Sequence, residues 1–169
     1  PRLTRRIADE GHLLVNHFTH HCVPFSAAAA GREIDGWERL VGEVLGCGRY
    51  ESAFVRPACG LMTRGVREAL AVRGKRIVPV TFFAWDMLVG PWGKGLIRRA
   101  TCRNARRRGG GMYVLHDGLD RVWPPMDALA RGLHLGHDRA WVPETAAAII
   151  DRLREEGMTI VEPGVWMRR

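Results

Sequence analysis

Short apolar runs alternate with helical segments along nearly the whole chain, and that alternation constrains the fold more than any other feature. Residues 13–15, 51–55, 77–83, 112–115 and 158–161 read as strands. Residues 2–10, 34–45, 64–72, 96–105 and 144–156 read as helices. In segment 34–45 the apolar positions Ile34, Trp37, Leu40, Val41, Val44 and Leu45 follow the 3.6-residue period, and Gly46 and Gly48 end it. Thr63 is placed to cap the helix over 64–72, and Gly74 to stop it. Pro79 marks an edge or a bulge within 77–83. An alanine-rich loop is expected before Ile34 and a long polar connection over 118–140. Strands interleaved with helices predict an α/β fold with a mainly parallel sheet or barrel. No internal repeat or linker divides the chain, which reads as one domain over 1–169.

Composition narrows the class. The 169 residues suffice to bury on the order of 70% of the extended-chain surface without cross-links. Cys22, Cys47, Cys59 and Cys102 are widely spaced and form no CxxC pair, so neither a zinc knuckle nor a dithiol redox motif is present. The net charge is +8, from 26 Lys and Arg against 18 Asp and Glu. Much of the excess falls on Lys94, Arg98, Arg99, Arg103, Arg106, Arg107 and Arg108. These read as a solvated helix face with a basic end, favourable to the helix dipole. No aromatic platform interleaves them, so no nucleic-acid partner is expected. No apolar run approaches the roughly 20 residues that span a bilayer. The charged start is unlike the apolar core of a signal peptide. Membrane association, oligomeric state and compartment are left open.

Polar residues recur just past the apolar runs: His17, Arg56, Trp85 and His116. In parallel α/β folds the carboxyl ends of strands gather around a common cleft. The densest cluster is Gly11-His-Leu-Leu-Val-Asn-His-Phe-Thr-His-His21. Zinc favours imidazole nitrogen, and histidines four apart can face one ion from a helical turn or tight loop. His17 and His21 have that spacing, while His17 and His20 form a competing pair three apart; a third ligand is required. At Leu115-His-Asp117 a histidine can give a proton near neutral pH. Arg56-Pro-Ala-Cys-Gly60 reads as a rigid turn that presents backbone N–H groups beside a fixed positive charge. Nothing local marks Cys59 as an activated nucleophile.

At these residues the sequence resembles the polysaccharide deacetylases, carbohydrate esterase family four. That family includes chitin and peptidoglycan N-acetylglucosamine deacetylases. Residues 11–21 are similar to its histidine motif, Arg56 to Gly60 to its arginine turn, Trp85 through Trp92 to its aromatic segment, and Val114-Leu-His-Asp117 to its second histidine motif. The resemblance implies an α/β fold forming part of a distorted (β/α) barrel, with the first strands missing from this chain. It implies a divalent metal, zinc by preference, on His17 and His21. His116 becomes the catalytic proton donor, with Arg56 beside it in the catalytic set. The backbone N–H of Cys59 holds the oxyanion, Leu115 lines the pocket for the acetyl methyl, and Trp92 lines the sugar cleft. The implied reaction is hydrolysis of N-acetyl groups on an amino-sugar polymer or glycoside, an amide C–N hydrolase activity.

Several positions depart from the pattern. Nothing matches the family's Thr-Phe-Asp-Asp strand, which supplies the base and the third ligand, so an upstream segment is expected to complete the site. Asp9, Asp86 and Asp117 are the nearest local acids. Phe18 occupies a usual Ser/Thr position, and Cys59 stands where an aromatic residue is common. Pro91 replaces the aspartate that in relatives orients the arginine, which leaves Arg56 without its usual partner. These departures motivate an alternative, a noncatalytic glycan-binding or degenerate member.

Overall fold

The computed structural model describes residues 1–117 and 139–166. The chain forms two compact units. The first holds Pro1–Val78 and Glu162–Gly164; the second holds the described residues within Pro79–Val161 and Val165–Arg169.

In the first unit, helix α1 (Arg2–Asp9) buries no side chain. Helix α2 (Ala27–Leu45) begins at Ser26, whose hydroxyl accepts from the Ala29 N–H at 3.2 Å. It ends at Gly46 in the left-handed conformation that glycine adopts without a Cβ clash. Its buried stripe includes Ala30, Ile34, Glu38 and Val41, one face of a 3.6-period helix. Strand β1 (Phe54–Val55) pairs in parallel with β2 (Arg76–Ile77), Phe54 opposite Arg76 and Val55 opposite Ile77. Asn16 bridges Val55 in parallel as well.

Helix α3 (Arg64–Val72) connects β1 to β2 and is capped by Thr63, whose hydroxyl accepts from Val66 N–H at 3.1 Å and donates to the Pro24 carbonyl at 2.7 Å. Gly65 has a packing reason: a Cβ there would overlap the backbone of Phe25 and Ser26. Phe18, Ala30, Ile34, Val55, Ala58, Val66, Ala69 and Leu70 make the core. Truncating Ile34 to alanine would cost about 2–5 kcal/mol.

A charged network ties α2 to the α3–β2 segment. Buried Glu38 accepts from Lys75 at 2.7 Å and from Arg49 at 2.6 Å, and Asp35 pairs with Arg73 at 2.8 Å. The Arg73 guanidinium, foremost, holds the Asp35 carboxyl below the usual carboxylate range.

In the second unit, β3 (Phe82–Phe83) pairs in parallel with β4 (Tyr113–Val114), Phe82 opposite Tyr113 and Phe83 opposite Val114. Helix α4 (Lys94–Arg108) connects them and stops at Gly109, at φ 67°. Helix α5 (Trp141–Glu155) packs on α4 through Ile97, Cys102, Ala105, Trp141, Val142, Ile149 and Leu153. A short helix, α6 (Pro163–Trp166), begins in the residues assigned to the first unit and ends in those of the second. No helix among the described residues is long and apolar enough to cross a membrane.

The architecture is mixed α/β with small parallel sheets, as expected. Among the described residues the strands form two separate two-stranded sheets, and no closed barrel wall is seen. Several elements differ from the sequence reading. The alanine-rich segment belongs to α2, because alanine is the strongest helix former and Ser26 caps it. Segment 77–83 is not one strand: its two ends pair in different sheets, and Pro79, which has no N–H to donate, lies between them. Segment 13–15 is not a ladder strand, only Asn16 forming a bridge, and 158–161 is not a strand. Of the expected connection over 118–140, residues 118–138 lie outside the described residues.

Candidate active site

The histidine motif of the first unit is shaped by Asn16, which is fully buried. Its backbone N–H donates to Phe54 O at 3.1 Å, and its carbonyl accepts from Arg56 N–H at 2.8 Å. Its side-chain amide donates to Ile34 O at 3.0 Å, and its Oδ1 accepts from Phe18 N–H at 3.0 Å. The last contact closes a tight turn in which Phe18 takes φ 68° and drives its ring into the core. His17, between the two anchored residues, is left exposed.

His17 Nδ1 lies 2.6 Å from the Arg56 carbonyl, which only a ring N–H can satisfy, so Nδ1 donates and Nε2 is the nitrogen turned to other partners. His20 is drawn elsewhere: Glu33 accepts from its backbone N–H at 2.8 Å and lies 3.2 Å from its Nδ1. Of the two spacings open in the sequence, the structure brings together His17 and His21, with ring centroids 5.7 Å apart and planes at 68°. Two imidazoles on one tetrahedral ion, with metal–nitrogen bonds of 2.0–2.1 Å, place their centroids about 5 Å apart. The His17–His21 centroid separation is close to that value. Among the described residues, however, no three His, Cys, Asp or Glu side chains are already grouped to hold one.

The turn Ala58–Gly60 follows β1. Gly60 N–H donates to Pro57 O at 3.0 Å, and Cys59 takes φ 57° and ψ 0°. This places Cys59 Sγ 3.7 Å from His21 Nδ1. Burial pushes the Cys59 thiol up, which disfavours a free nucleophilic thiolate. The Arg56 guanidinium folds over Gly60, where a Cβ would come within 2.8 Å of Nη2. It donates to the Val78 carbonyl at 3.4 Å, and burial draws its pKa down.

The second unit centres on Asp86, fully buried in the turn after β3. Its Oδ1 accepts from His116 Nδ1–H at 2.9 Å, and its Oδ2 accepts from the His116 backbone N–H at 2.8 Å. Arg139 closes the arrangement. Nη2 donates to Asp86 Oδ2 and, at 2.6 Å, to His116 O; Nη1 donates to Asp86 O at 2.9 Å; Nε donates to His116 O at 3.0 Å. Burial alone pushes the Asp86 carboxyl up. The hydrogen bonds from the His116 ring and backbone, with the charges of His116 and Arg139, outweigh it and hold the carboxyl below the usual range. The Phe83 ring meets His116 edge-on at 5.3 Å and Trp85 at 5.0 Å. With Nδ1–H held by Asp86, the neutral imidazole offers Nε2 for proton traffic.

Leu115, beside His116, packs against the α4–α5 core. Trp85 and Trp92 stand 61% and 72% exposed, uncommon for aromatic side chains and suited to stacking on a ligand. Asp9 and Asp117 are exposed. Asp86, counted among the acids near the metal motif, is committed to His116 and Arg139 instead.

Solved structures share this architecture. A family 4 carbohydrate esterase from Streptomyces lividans, in complex with acetate, aligns over 97% of this chain and 73% of its own, at 21% identity and TM-score 0.61. A polysaccharide deacetylase from Bacillus cereus aligns over 93% of this chain and 69% of its own, at 21% identity and TM-score 0.63. A family 4 pseudoenzyme from Bacillus anthracis aligns over 94% of this chain at 13% identity and TM-score 0.62, and the chain spans 47% of it. The fold resembles that of the family 4 carbohydrate esterases. No family profile and no curated protein matches the chain.

Within that esterase-like fold, sequence reasoning missed two features. The Asp86–His116 pairing was foreshadowed only by both residues sitting at strand ends. Arg139 carried no signal at all, since it lies at the end of a segment that reads as a polar connection.

Proposed function

We propose that this chain hydrolyses N-acetyl groups on an amino-sugar polymer or glycoside with the aid of a divalent ion, its two units serving one deacetylase-like domain. The Asp86–His116–Arg139 arrangement is the observation that carries the reading. A half-exposed imidazole with one nitrogen fixed by a buried carboxylate is built to deliver a proton from the other. The esterase-like fold and the approach of His17 to His21 add support.

In this reading His17 and His21 hold the ion, zinc by its preference for imidazole. When bound, such an ion supplies Lewis-acid polarisation of the amide carbonyl and acidification of water. His116 holds a proton at Nε2 and passes it to the nitrogen of the departing amine. Asp86 keeps the ring oriented through its hold on Nδ1. The Cys59 backbone N–H stabilises the oxyanion. Arg56 fixes positive charge beside that turn, Leu115 contacts the acetyl methyl, and Trp92 stacks on the sugar. No residue of this chain is assigned the general base.

The test is acetate release from acetylated chitooligosaccharides and from peptidoglycan, with zinc added, in wild type and His116→Ala. Release by the wild type that the variant loses supports the reading; release equal in both overturns it. The exposed Trp85 and Trp92 favour a second reading, noncatalytic glycan binding. That reading expects saturable quenching of tryptophan fluorescence by the same oligosaccharides without acetate release.

A further inference from the structure

We propose that the groove between α4 and α5 is a docking surface for an anionic glycan, a sugar chain whose carboxylate groups seat on its arginines. None of its residues enters the proposed reaction, so this inference stands or falls separately from that reading.

The charge on α4 exceeds what helix stability explains. The helix carries Lys94, Arg98, Arg99, Arg103, Arg106, Arg107 and Arg108 and no acid. The helix dipole favours cations in the last turn, which accounts for Arg106, Arg107 and Arg108. Arg98, Arg99 and Arg103 lie outside that turn. They are exposed and pair with no carboxylate among the described residues. Like charges four residues apart on a helix, as at Arg99, Arg103 and Arg107, repel one another. An anionic partner relieves that repulsion.

The arginines frame a formed groove. Two ion pairs, Lys94–Glu144 at 2.9 Å and Arg106–Glu156 at 3.1 Å, each join residues 50 apart, so α4 and α5 run parallel. A cavity of about 530 Å³ opens between them. Ligand pockets usually hold roughly 300–1,000 Å³. Arg98, Arg99, Arg106 and Arg152 line the cavity, with Asp151 and Glu155 among them and buried Cys102 at the floor. Burial and Glu156 push the Cys102 thiol up, while the charges of Arg106, Arg98 and Arg152 act against them, so three guanidinium groups converge there. Glu156 anchors Arg106 at 3.1 Å and Arg152 at 2.6 Å, which leaves Arg98 and Arg99 for a ligand.

The mixture of signs selects the occupant. Guanidinium groups take carboxylates in a bidentate grip. Asp151 and Glu155 accept hydrogen bonds from hydroxyls but repel a ligand that is anionic throughout. A chain carrying both carboxylates and hydroxyls, as an acidic sugar polymer does, satisfies both sets. Among the described residues no aromatic ring lines the groove for bases to stack on. The apolar side of α4, Ile97, Cys102 and Ala105, is spent on the core, which leaves no apolar face to enter a lipid surface.

The experiment is calorimetric titration of the full chain with a linear oligogalacturonate at about 0.15 M salt, where distant exposed charges are largely screened. We expect saturable binding. The double variant Arg98→Gln/Arg99→Gln should weaken it at least about tenfold. Arg2→Gln/Arg32→Gln, which removes the same charge from exposed sites in the first unit, should leave it unchanged. Asp151→Ala should weaken binding about threefold or more, although the protein becomes more positive. All five replaced side chains are exposed, and an unchanged denaturation midpoint verifies that the variants are folded. Absence of binding, or equal loss in the two double variants, overturns the proposal. Tighter binding in Asp151→Ala overturns the glycan in favour of charge alone. Tighter binding of polyphosphate, duplex DNA or anionic lipid vesicles than of oligogalacturonate overturns it in favour of that partner.

Discussion

The two units treat their histidines in opposite ways. In the second, His116 is held at its ring, its backbone N–H and its carbonyl by two buried charged residues, Asp86 and Arg139. In the first, exposed His17 is fixed through one ring nitrogen to a backbone carbonyl. A proton donor must keep one tautomer and one orientation through every turnover, which a charged network inside the core enforces. Imidazoles that serve a metal need only be brought near one another, since the ion supplies the remaining order.

This contrast can be broken by experiment. His116→Ala should lower acetate release by about 10²–10⁴-fold, and should also cost about 1–3 kcal/mol of stability, because the ring's hydrogen bond to the buried Asp86 carboxylate is lost. Arg139→Ala should cost about 3–5 kcal/mol of stability in denaturant unfolding, since Asp86 would be left buried without its cation.

A smaller effect concerns acid. The native Asp86 carboxyl titrates below its unfolded value, so its stabilisation is complete above roughly pH 4–5 and is lost as pH falls through the depressed native value. Asp86→Asn should therefore flatten that part of the stability-against-pH curve, measured by denaturant midpoints at a series of pH values. His17→Ala should shift stability by less than about 0.5 kcal/mol, as expected for an exposed side chain, while zinc binding weakens sharply. A large loss of stability in His17→Ala would erase the distinction between the two units.

Local features were the most legible in sequence. Thr63 caps α3 at the expected position because the cap needs only a hydroxyl three residues from the N–H it serves. The helices over 2–10, 64–72 and 96–105 were likewise recovered, with ends shifted by a residue or a few. Strand extent was overread. Apolar character pointed to strands at 13–15, 51–55 and 158–161, but ladder length depends on a partner that the segment does not specify, and Ile160 and Val161 are exposed. The candidate site shows the same division. The spacing of His17 and His21 could be read directly, whereas the choice against His20 depended on Glu33, thirteen residues away. Asp86 meets His116 across 30 residues and Arg139 across 53, and no local pattern encodes such pairings.

Asn16 occupies a position of leverage. It joins the α2 backbone, the β1 edge and the Phe18 turn through four hydrogen bonds, and His17 is its immediate neighbour. Repacking beneath α2 can thus steer an imidazole on the surface without altering any residue that contacts a ligand. Selection or design has, in this one amide, a remote adjusting screw for the orientation of the His17 imidazole.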